Sequence, residues 1–411
     1  MSGPLIVSEG QLELARWISP GDGVVFGQAC AEPTVLVDAL LAQAAEIGRL
    51  RAFAGLTWGD RIPTKAPPSL RVVSYGALGT LGRLADLEIV PCHFSALPQL
   101  FAARALPGDV ALIQVAPPDS RGRCSLGVGA DYIADAAVHA RVVIAEVNDH
   151  CPATAGAWID WDRLDAAVMT SRPLLEAPVV EPVETERAIA AHVAPLVRDG
   201  DTIQIGVGAL PAAIMDELTG HRNLGVHSGM ITDGVLDLLQ AGAVTNRYKP
   251  ADTGLTVTGA ALGSRRLFDA LGEREDVVFA PVSYTHARQT LADVGRLCAI
   301  NSAVEIDLHG QVNSESVGGR VFGAVGGQVD FLRAASACGG AAIVALPARR
   351  IVAELSGPVS SSRSDVDWVV TEHGARSLRG LTDGARAEAL LELAGVGNAD
   401  QLADVGATAN G

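Results

Sequence analysis

The chain has 411 residues, a formal net charge of −16, 48% hydrophobic residues and 19% charged residues. This length suggests about two or three domains, and the apolar content supplies a substantial core, which excludes a disordered chain. Lysine occurs only at Lys65 and Lys249. Because an acidic chain without a basic cluster repels nucleic-acid backbones and anionic membrane surfaces, we expect a small-molecule partner.

The amino terminus and the cysteines indicate the cellular compartment. Residues 1–9 lack the basic start and long apolar core of a signal peptide, and no run approaches the ~20 apolar residues of a membrane helix. The six cysteines lie far apart, without the Cys-x-x-Cys or Cys/His spacing of zinc sites. We therefore expect a cytoplasmic protein without a metal site, whose cysteines are small buried residues.

Two distant stretches of the chain repeat one pattern. Residues 20–33 contain a Pro-Gly-Asp-Gly turn, an apolar run and a further glycine, and lead into a helical pattern over Val35–Ile47. Residues 199–211 repeat this order and lead into a helical pattern over Ala212–Leu218. Both predict a turn, a buried strand, a glycine loop and a helix that begins near a proline.

A second repeated pattern supports an internal duplication. Val110–Gly122 and Leu297–Gly310 are both apolar strand patterns that close on an acidic residue and a glycine turn. Short apolar strands at Val142–Ala145 and Ala342–Ala345 alternate with helical stretches. The alternation predicts two tandem α/β domains with largely parallel sheets.

The stretch between the repeats predicts a linker. Arg172–Glu184 carries three prolines and three acidic residues without helical periodicity. We therefore place the domains at residues 1–183 and 184–411.

Two glycine-rich segments are candidate ligand loops. Gly206–Gly208 follows a predicted strand and precedes a helix, where backbone N–H groups and the helix dipole stabilise an anion such as a thioester oxyanion. Gly323–Phe331 precedes a predicted helix at Val329–Ala337, and paired glycines there allow close approach of a pyrophosphate or pantetheine chain. The alternative is that these glycines serve only tight strand-to-helix turns.

Several long motifs, in order along the chain, resemble the acetyl-CoA hydrolase/CoA-transferase family. The similarity runs from about Pro20 to Arg386, which makes it far more specific than either glycine loop alone. The motifs are Pro91–Ser95, Leu112–Asp119, Ala145–Asn148, Leu224–Gly234, Tyr284–His286, Ile300–Gly318, Gly326–Phe331 and Ser362–Gly374.

The resemblance implies a fold, a ligand and a set of binding residues. The fold would be two CoA-transferase-type α/β domains facing across a cleft. Coenzyme A would be part of the substrate, with no permanent cofactor and no metal, and the chain would form a homodimer or a larger homo-oligomer. The implied ligand residues are Gly206, Val207 and Gly208 at the thioester and Gly326, Gly327 and Gln328 at CoA.

The sequence departs from the family pattern at Gly229. Family members usually read His-Ser/Thr-Glu-Met where this chain reads His227-Ser-Gly-Met, and they use that glutamate to carry CoA covalently. Glycine has no carboxylate, so the departure predicts that ping-pong transfer is blocked unless another acid takes over. Asp233 and Glu315 are the candidates, although Asp233 also suits a turn or cap and Glu315 belongs to the ordinary family pattern.

Without a covalent carboxylate, the remaining route is direct attack of water on the thioester. His227 is the nearest candidate base, and His93 and Glu32 are candidates from the first half. Two of them have a structural alternative: His227 as a hydrogen-bonding core residue, and Glu32, before Pro33, as an acceptor for helix N–H groups.

Three functions remain open from the sequence. The first is an acyl-CoA hydrolase, including hydrolytic carbon–carbon cleavage of a β-keto acyl-CoA. The second is a CoA-transferase to acetate or another small carboxylate that uses a different acid. The third is a non-catalytic CoA-binding subunit.

Overall fold

The computed structural model describes residues 3–395 and divides into two compact units. Of these residues, unit 1 contains 3–178 together with Val257–Ala287, and unit 2 contains Val179–Thr256 and 288–395. The first exchange between the units lies close to the predicted boundary at 183/184, while the segment 257–287 returns to unit 1. The two-domain boundary stays a prediction.

The strands are short and their bounds are as follows. They are β1 Leu5–Val7, β2 Gly23–Phe26, β3 Leu50–Phe53, β4 Leu70–Ser74, β5 Glu88–Ile89, β6 Val110–Val115, β7 Arg123–Ser125, β8 Val142–Asn148, β9 Trp158–Asp160, β10 Ala166–Thr170, β11 Thr202–Ile205, β12 Gly225–Ile231, β13 Thr256–Ala261, β14 Val277–Phe279, β15 Leu297–Ser302, β16 Glu305–Asp307, β17 Val312–Asn313, β18 Ser316–Val317, β19 Arg320–Val321, β20 Ala341–Ala345, β21 Ile351–Val352, β22 Trp368–Thr371 and β23 Gly374–Ser377.

The α-helices alternate with the main strands. They are α1 Thr34–Ile47, α2 Arg61–Lys65, α3 Leu97–Ala102, α4 Asp131–His139, α5 Glu184–Val193, α6 Ala209–Glu217, α7 Asp233–Gln240, α8 Arg265–Leu271, α9 Val282–Thr285, α10 Arg288–Ala292, α11 Gln328–Ala337 and α12 Asp383–Ala394.

Unit 1 is built on a fully parallel sheet. Its strand order is β1-β10-β8-β6-β2-β3-β4-β5, and every adjacent pair is parallel. The central strand β6 is buried along its whole length, as expected where helices cover both faces of a parallel sheet. The core of this unit joins residues of β2 and β6 to the apolar side of α1.

Unit 2 repeats this arrangement. Its sheet runs β12-β11-β15-β20-β22-β23, parallel except for the last pair. The order β10-β8-β6-β2-β3 in unit 1 therefore corresponds to β22-β20-β15-β11-β12 in unit 2. The repeated glycine loops follow β2 and β11, and the second repeated pattern forms β6 and β15. The predicted duplication and the largely parallel α/β class are therefore confirmed.

Helix α6 begins earlier than its sequence pattern predicts. It starts at Ala209, directly after Gly208, and contains Pro211 in its first turn. A proline is tolerated there because the first N–H groups of a helix have no intrahelical acceptor. Among residues 3–395, no helix has both the length and the apolar character required to cross a membrane.

Candidate active site

The glycine loop after β11 leads from the carboxyl end of a strand into a helix. Val207 is 40% exposed, and Gly208 has φ of +116° directly before the first residue of α6. A Cβ atom at Gly208 would have no atom within 4 Å, so the backbone conformation, rather than space, requires glycine. The loop offers exposed backbone at a helix start, which is suitable for stabilising an anion.

We expect Gly208→Ala to lower the rate of CoA release by about tenfold to hundredfold. Alanine disfavours the positive φ of this position, so the loop would change conformation and misplace an oxyanion donor. Gly254→Ala is the matched control, since Gly254 also has positive φ and open space around its Cβ position. Free-thiol assays on both variants check this expectation. Equal rates for the two variants would contradict an oxyanion role for the loop.

Strand β12 carries the departure from the family motif beside this loop. His227 is fully buried, whereas Gly229 is partly exposed. Residues two apart on a strand point to the same face, so His227 and the position of Gly229 share one side of β12. The hydroxyl of Ser228 donates to the carbonyl of Ile205 at 3.2 Å, which ties this part of β12 to the residue before Gly206.

A buried lysine, whose role the sequence did not suggest, hydrogen-bonds to the same strand. Lys249 Nζ donates to the carbonyls of Val226 at 3.0 Å and Leu255 at 2.7 Å, while Asn246 Oδ1 accepts from the Val226 amide at 2.8 Å. Burial lowers the pKa of Lys249 to about 8. The backbone amide and carbonyl of Val226, the residue before His227, are thus both hydrogen-bonded. The only sequence feature that could have pointed to Lys249 is the scarcity of lysine in the chain.

The second glycine segment has an open approach and a polar neighbour. Gly326 has φ of +60° with no atom within 4 Å of a Cβ position, and Gln328 is the first residue of α11. Gln328 Oε1 accepts from the hydroxyl of Ser314 at 3.0 Å, whereas its buried Nε2 has no hydrogen-bond partner among the described residues. A donor in that position is available to a ligand.

The two substitute acids differ in their surroundings. Glu315 Oε1 accepts from the hydroxyl of Ser360 at 2.7 Å, in the turn that also contains Ser314. Asp233 is the first residue of α7, where a carboxylate interacts favourably with the helix dipole. Ser314, the residue before Glu315, hydrogen-bonds to Gln328, so Glu315 lies close to Gln328. Asp233 instead has a position that suits a helix start.

Glu32 lies in unit 1, in the segment that joins β2 to α1, and is 1% exposed. Its Oε1 accepts from Arg61 Nη1 at 3.3 Å, but its buried Oε2 has no hydrogen-bond partner among the described residues. Burial raises the pKa of Glu32 to about 7, and Arg61 opposes this shift. At the start of α1, the Val35 amide donates to Glu146 Oε2 at 3.0 Å, so Glu32 is not the acceptor for this N–H group.

Arg172, placed in the predicted linker, instead anchors a buried polar network in unit 1. Its Nε donates to Oε1 of Glu146, whose side chain is fully buried. Its Nη2 donates to Gln114 Oε1 at 3.0 Å and to the carbonyl of Glu32 at 3.3 Å. The arginine therefore neutralises one buried carboxylate and contacts the backbone of another acidic residue.

His93 also belongs to unit 1 and is partly buried, and its buried Nδ1 has no hydrogen-bond partner among the described residues. His227, Gly229 and Glu315 belong to unit 2. Within residues 3–395, no group of three or more histidine, cysteine, aspartate or glutamate side chains has an arrangement that could hold a metal ion.

Two family models match the chain. The acetyl-CoA hydrolase/transferase N-terminal domain matches residues 82–172, and the corresponding C-terminal domain matches residues 263–405. Residue 229 lies in neither range. The alignment of Gly229 with the usual glutamate therefore depends on the local motif around it.

Relatives of the whole chain agree with these matches. The chain is 38% identical over 388 residues to the 4-hydroxybutyrate coenzyme A transferase of Clostridium kluyveri, with 90% of each protein covered. Its structure is similar to RipA from Yersinia pestis, with a TM-score of 0.91, 32% identity, and 99% of this chain and 98% of RipA covered. It is also similar to the 4-hydroxybutyrate CoA-transferase of Porphyromonas gingivalis, with a TM-score of 0.82, 32% identity, and coverage of 97% and 96%. The order of motifs, the duplicated parallel sheets and these relatives lead to one assignment: the chain belongs to the acetyl-CoA hydrolase/CoA-transferase family.

Proposed function

We propose that the protein hydrolyses acyl-CoA thioesters by direct attack of water, without a glutamyl-CoA intermediate. The observation that carries this proposal is Gly229, which lies on a strand tied to the Gly206–Gly208 loop and supplies no carboxylate. The glycine loop is the candidate oxyanion site, and the turn around Gly326 is the candidate CoA contact. Loss of the covalent route leaves water as the nucleophile.

The proposed chemistry requires stabilisation of charge as well as a nucleophile. When water attacks the thioester carbonyl, negative charge develops on its oxygen, and one well-placed N–H donor contributes about 3 kcal/mol to transition-state stability. We propose that His227, on the same face of β12 as position 229, orients the attacking water. A preserved oxyanion loop thus supports hydrolysis even where the usual nucleophile is missing.

The experiment that tests the proposal measures free thiol from a panel of acyl-CoA thioesters, with and without acetate. The panel should include acetyl-CoA, butyryl-CoA, 4-hydroxybutyryl-CoA and acetoacetyl-CoA. We expect CoA release that does not depend on acetate. Measurable CoA binding without release from any member of the panel would instead favour a non-catalytic CoA-binding subunit.

CoA transfer is the second candidate function, and the names of the two transferase relatives favour it. Glu315, next to the serine that bonds Gln328, is the candidate carboxylate for this route. Acetate-dependent consumption of the starting acyl-CoA with formation of acetyl-CoA and without free CoA thiol, lost in Glu315→Gln, would support transfer over hydrolysis.

We expect His227→Gln to reduce hydrolysis by about tenfold to hundredfold while CoA binding stays unchanged, because a misoriented water loses reactivity. His192→Gln, on an exposed position of α5, is the control and should behave as the unmodified protein. Steady-state kinetics and calorimetric CoA binding check the expectation. A fall in binding with unchanged turnover would contradict a role for His227 at the water.

A further inference from the structure

Lys249 is a buried lysine of unit 2 and one of two lysines in the chain. Only 2% of it is exposed, and its Nζ donates to the carbonyls of Val226 at 3.0 Å and Leu255 at 2.7 Å. A lysine is rarely buried unless its ammonium group is hydrogen-bonded, because desolvation of the charge is costly. Its acceptors are main-chain carbonyls, so the fold holds a charged group against the backbone of β12.

Gly225, the first residue of β12, leaves room for the aliphatic chain of this lysine. A Cβ atom at Gly225 would lie 2.8 Å from Cγ and 3.0 Å from Cδ of Lys249. Because side chains do not approach this closely, a larger residue at 225 would displace Lys249 from Val226. The glycine and the lysine therefore form one arrangement, in which the lysine packs directly against the start of the strand.

The loop that carries Lys249 also bonds the amide of Val226. Asn246 Oδ1 accepts from this amide at 2.8 Å. On the other side of His227 in the chain, the hydroxyl of Ser228 donates to a carbonyl at the end of β11 at 3.2 Å. His227 therefore lies between two residues that hydrogen bonds hold in place, one of them through Lys249.

We propose that Lys249 is a positioning residue for the proposed hydrolysis, on which this assignment rests. Its ammonium group fixes the main chain at Val226, and the strand then holds His227 and position 229 in the orientation that attack of water requires. A hydrogen bond from a charged donor is roughly twice as strong as one from a neutral donor. Loss of the proton should therefore loosen β12 directly before His227, so that Lys249 acts through the strand and not on the substrate.

The titratable groups around Lys249 come from its own loop and from two strands. Burial lowers the pKa of Lys249 to about 8, and Asp252 of the same loop opposes this shift. On β12 the nearest titratable residue in sequence is His227. Asp201, directly before β11, pairs its carboxylate with Arg296 at 3.2 Å. Burial of the ammonium group therefore dominates its titration.

This titration gives the positioning role a pH dependence. The ammonium form of Lys249 predominates at pH 7 and is lost as the pH rises through about 8. We expect kcat for hydrolysis to fall across this range as the strand loosens, with KM changed less, because the substrate contacts are not the groups that titrate.

The test compares pH profiles of kcat and KM for Lys249→Met, Lys65→Met and the unmodified protein. We expect Lys249→Met to lower kcat at pH 7 by about tenfold to hundredfold, with KM changed less, and to abolish the inflection near pH 8. The side chain of Lys65 is 59% exposed, so Lys65→Met is the matched control and should keep both the rate and the inflection. Hydrolysis by Lys249→Met with an unchanged kcat, or with the inflection retained, would overturn this proposal and leave the proposed function standing.

Nuclear magnetic resonance gives a second readout that needs neither turnover nor a change at Lys249. Because the chain has two lysines, ¹³C-labelled lysine gives two ε-carbon signals, and the one that remains in Lys65→Met belongs to Lys249. With ¹³C-labelled histidine as well, assigned through His227→Gln, we expect the His227 ring signal to shift together with the Lys249 signal near pH 8. A His227 signal that stays constant while Lys249 loses its proton would contradict the assignment, and so would an ammonium form that persists well above pH 8.

Discussion

Replacing Gly229 with glutamate should give the protein a covalent CoA intermediate and the ability to transfer CoA to acetate. Gly229 lies within β12 and is not among the residues with positive φ, so the strand backbone accepts a side chain. The new carboxylate would lie beside the serine that ties β12 to the end of β11. A positioned carboxylate can attack an acyl-CoA and then carry CoA as a thioester. We expect transfer to exceed the background of the unmodified protein by on the order of a hundredfold, or about 2.7 kcal/mol of barrier.

The matched control for this change is Gly229→Gln, which adds nearly the same volume without a nucleophile. Borohydride trapping during turnover, followed by intact-protein mass measurement, should detect the intermediate in Gly229→Glu and in neither other protein. Gly229→Glu that binds CoA but yields neither a trapped thioester nor transfer would show that position 229 does not face the thioester.

The largest stability effect should come from Arg172→Met, with a loss of about 3–5 kcal/mol in the free energy of unfolding. Glu146 is fully buried and its Oε1 accepts from Arg172, so removal of the guanidinium leaves an uncompensated buried carboxylate. The same change also removes the hydrogen bond to Gln114. Denaturant unfolding at constant pH measures the difference.

Two further proteins separate this effect from the general cost of losing an arginine. Arg71→Met removes an exposed ion pair with Asp86 at 3.1 Å, both partners being more than half exposed, and should cost less than about 1 kcal/mol. The double change Arg172→Met with Glu146→Gln should recover part of the loss, because no buried charge remains unpaired. Equal losses for Arg172→Met and Arg71→Met would contradict the structural role of Arg172.

The duplicated fold could be predicted because its signals are local. The glycine loops after β2 and β11 and the apolar strands β6 and β15 each occupy a few consecutive residues. In the two sheets, β2 lies beside β6 and β11 lies beside β15. The return of residues 257–287 to unit 1 could not be predicted in this way. It depends on contacts between distant segments, which no local pattern encodes.

The candidate site, like the fold, could be predicted from the sequence only where its signals are local. The glycine positions near 206 and 326 were predicted from the sequence motifs, and the structure gives Gly208 and Gly326 positive φ. The environments of Glu32, Arg172 and Lys249 were missed. The pKa of Glu32 depends on burial and on Arg61, which is 29 residues away. Arg172 looked like a linker residue because its partner Glu146 is 26 residues earlier.

The measurement that tests the central claim most directly is a single turnover in ¹⁸O-labelled water with the protein in excess over acyl-CoA. Direct attack by water places ¹⁸O in the carboxylic acid formed in that first turnover, and the protein stays unlabelled. We predict this result for the unmodified protein. An unlabelled acid, with ¹⁸O recovered instead in a protein carboxylate, would show that a side chain attacked the thioester and would contradict water as the nucleophile.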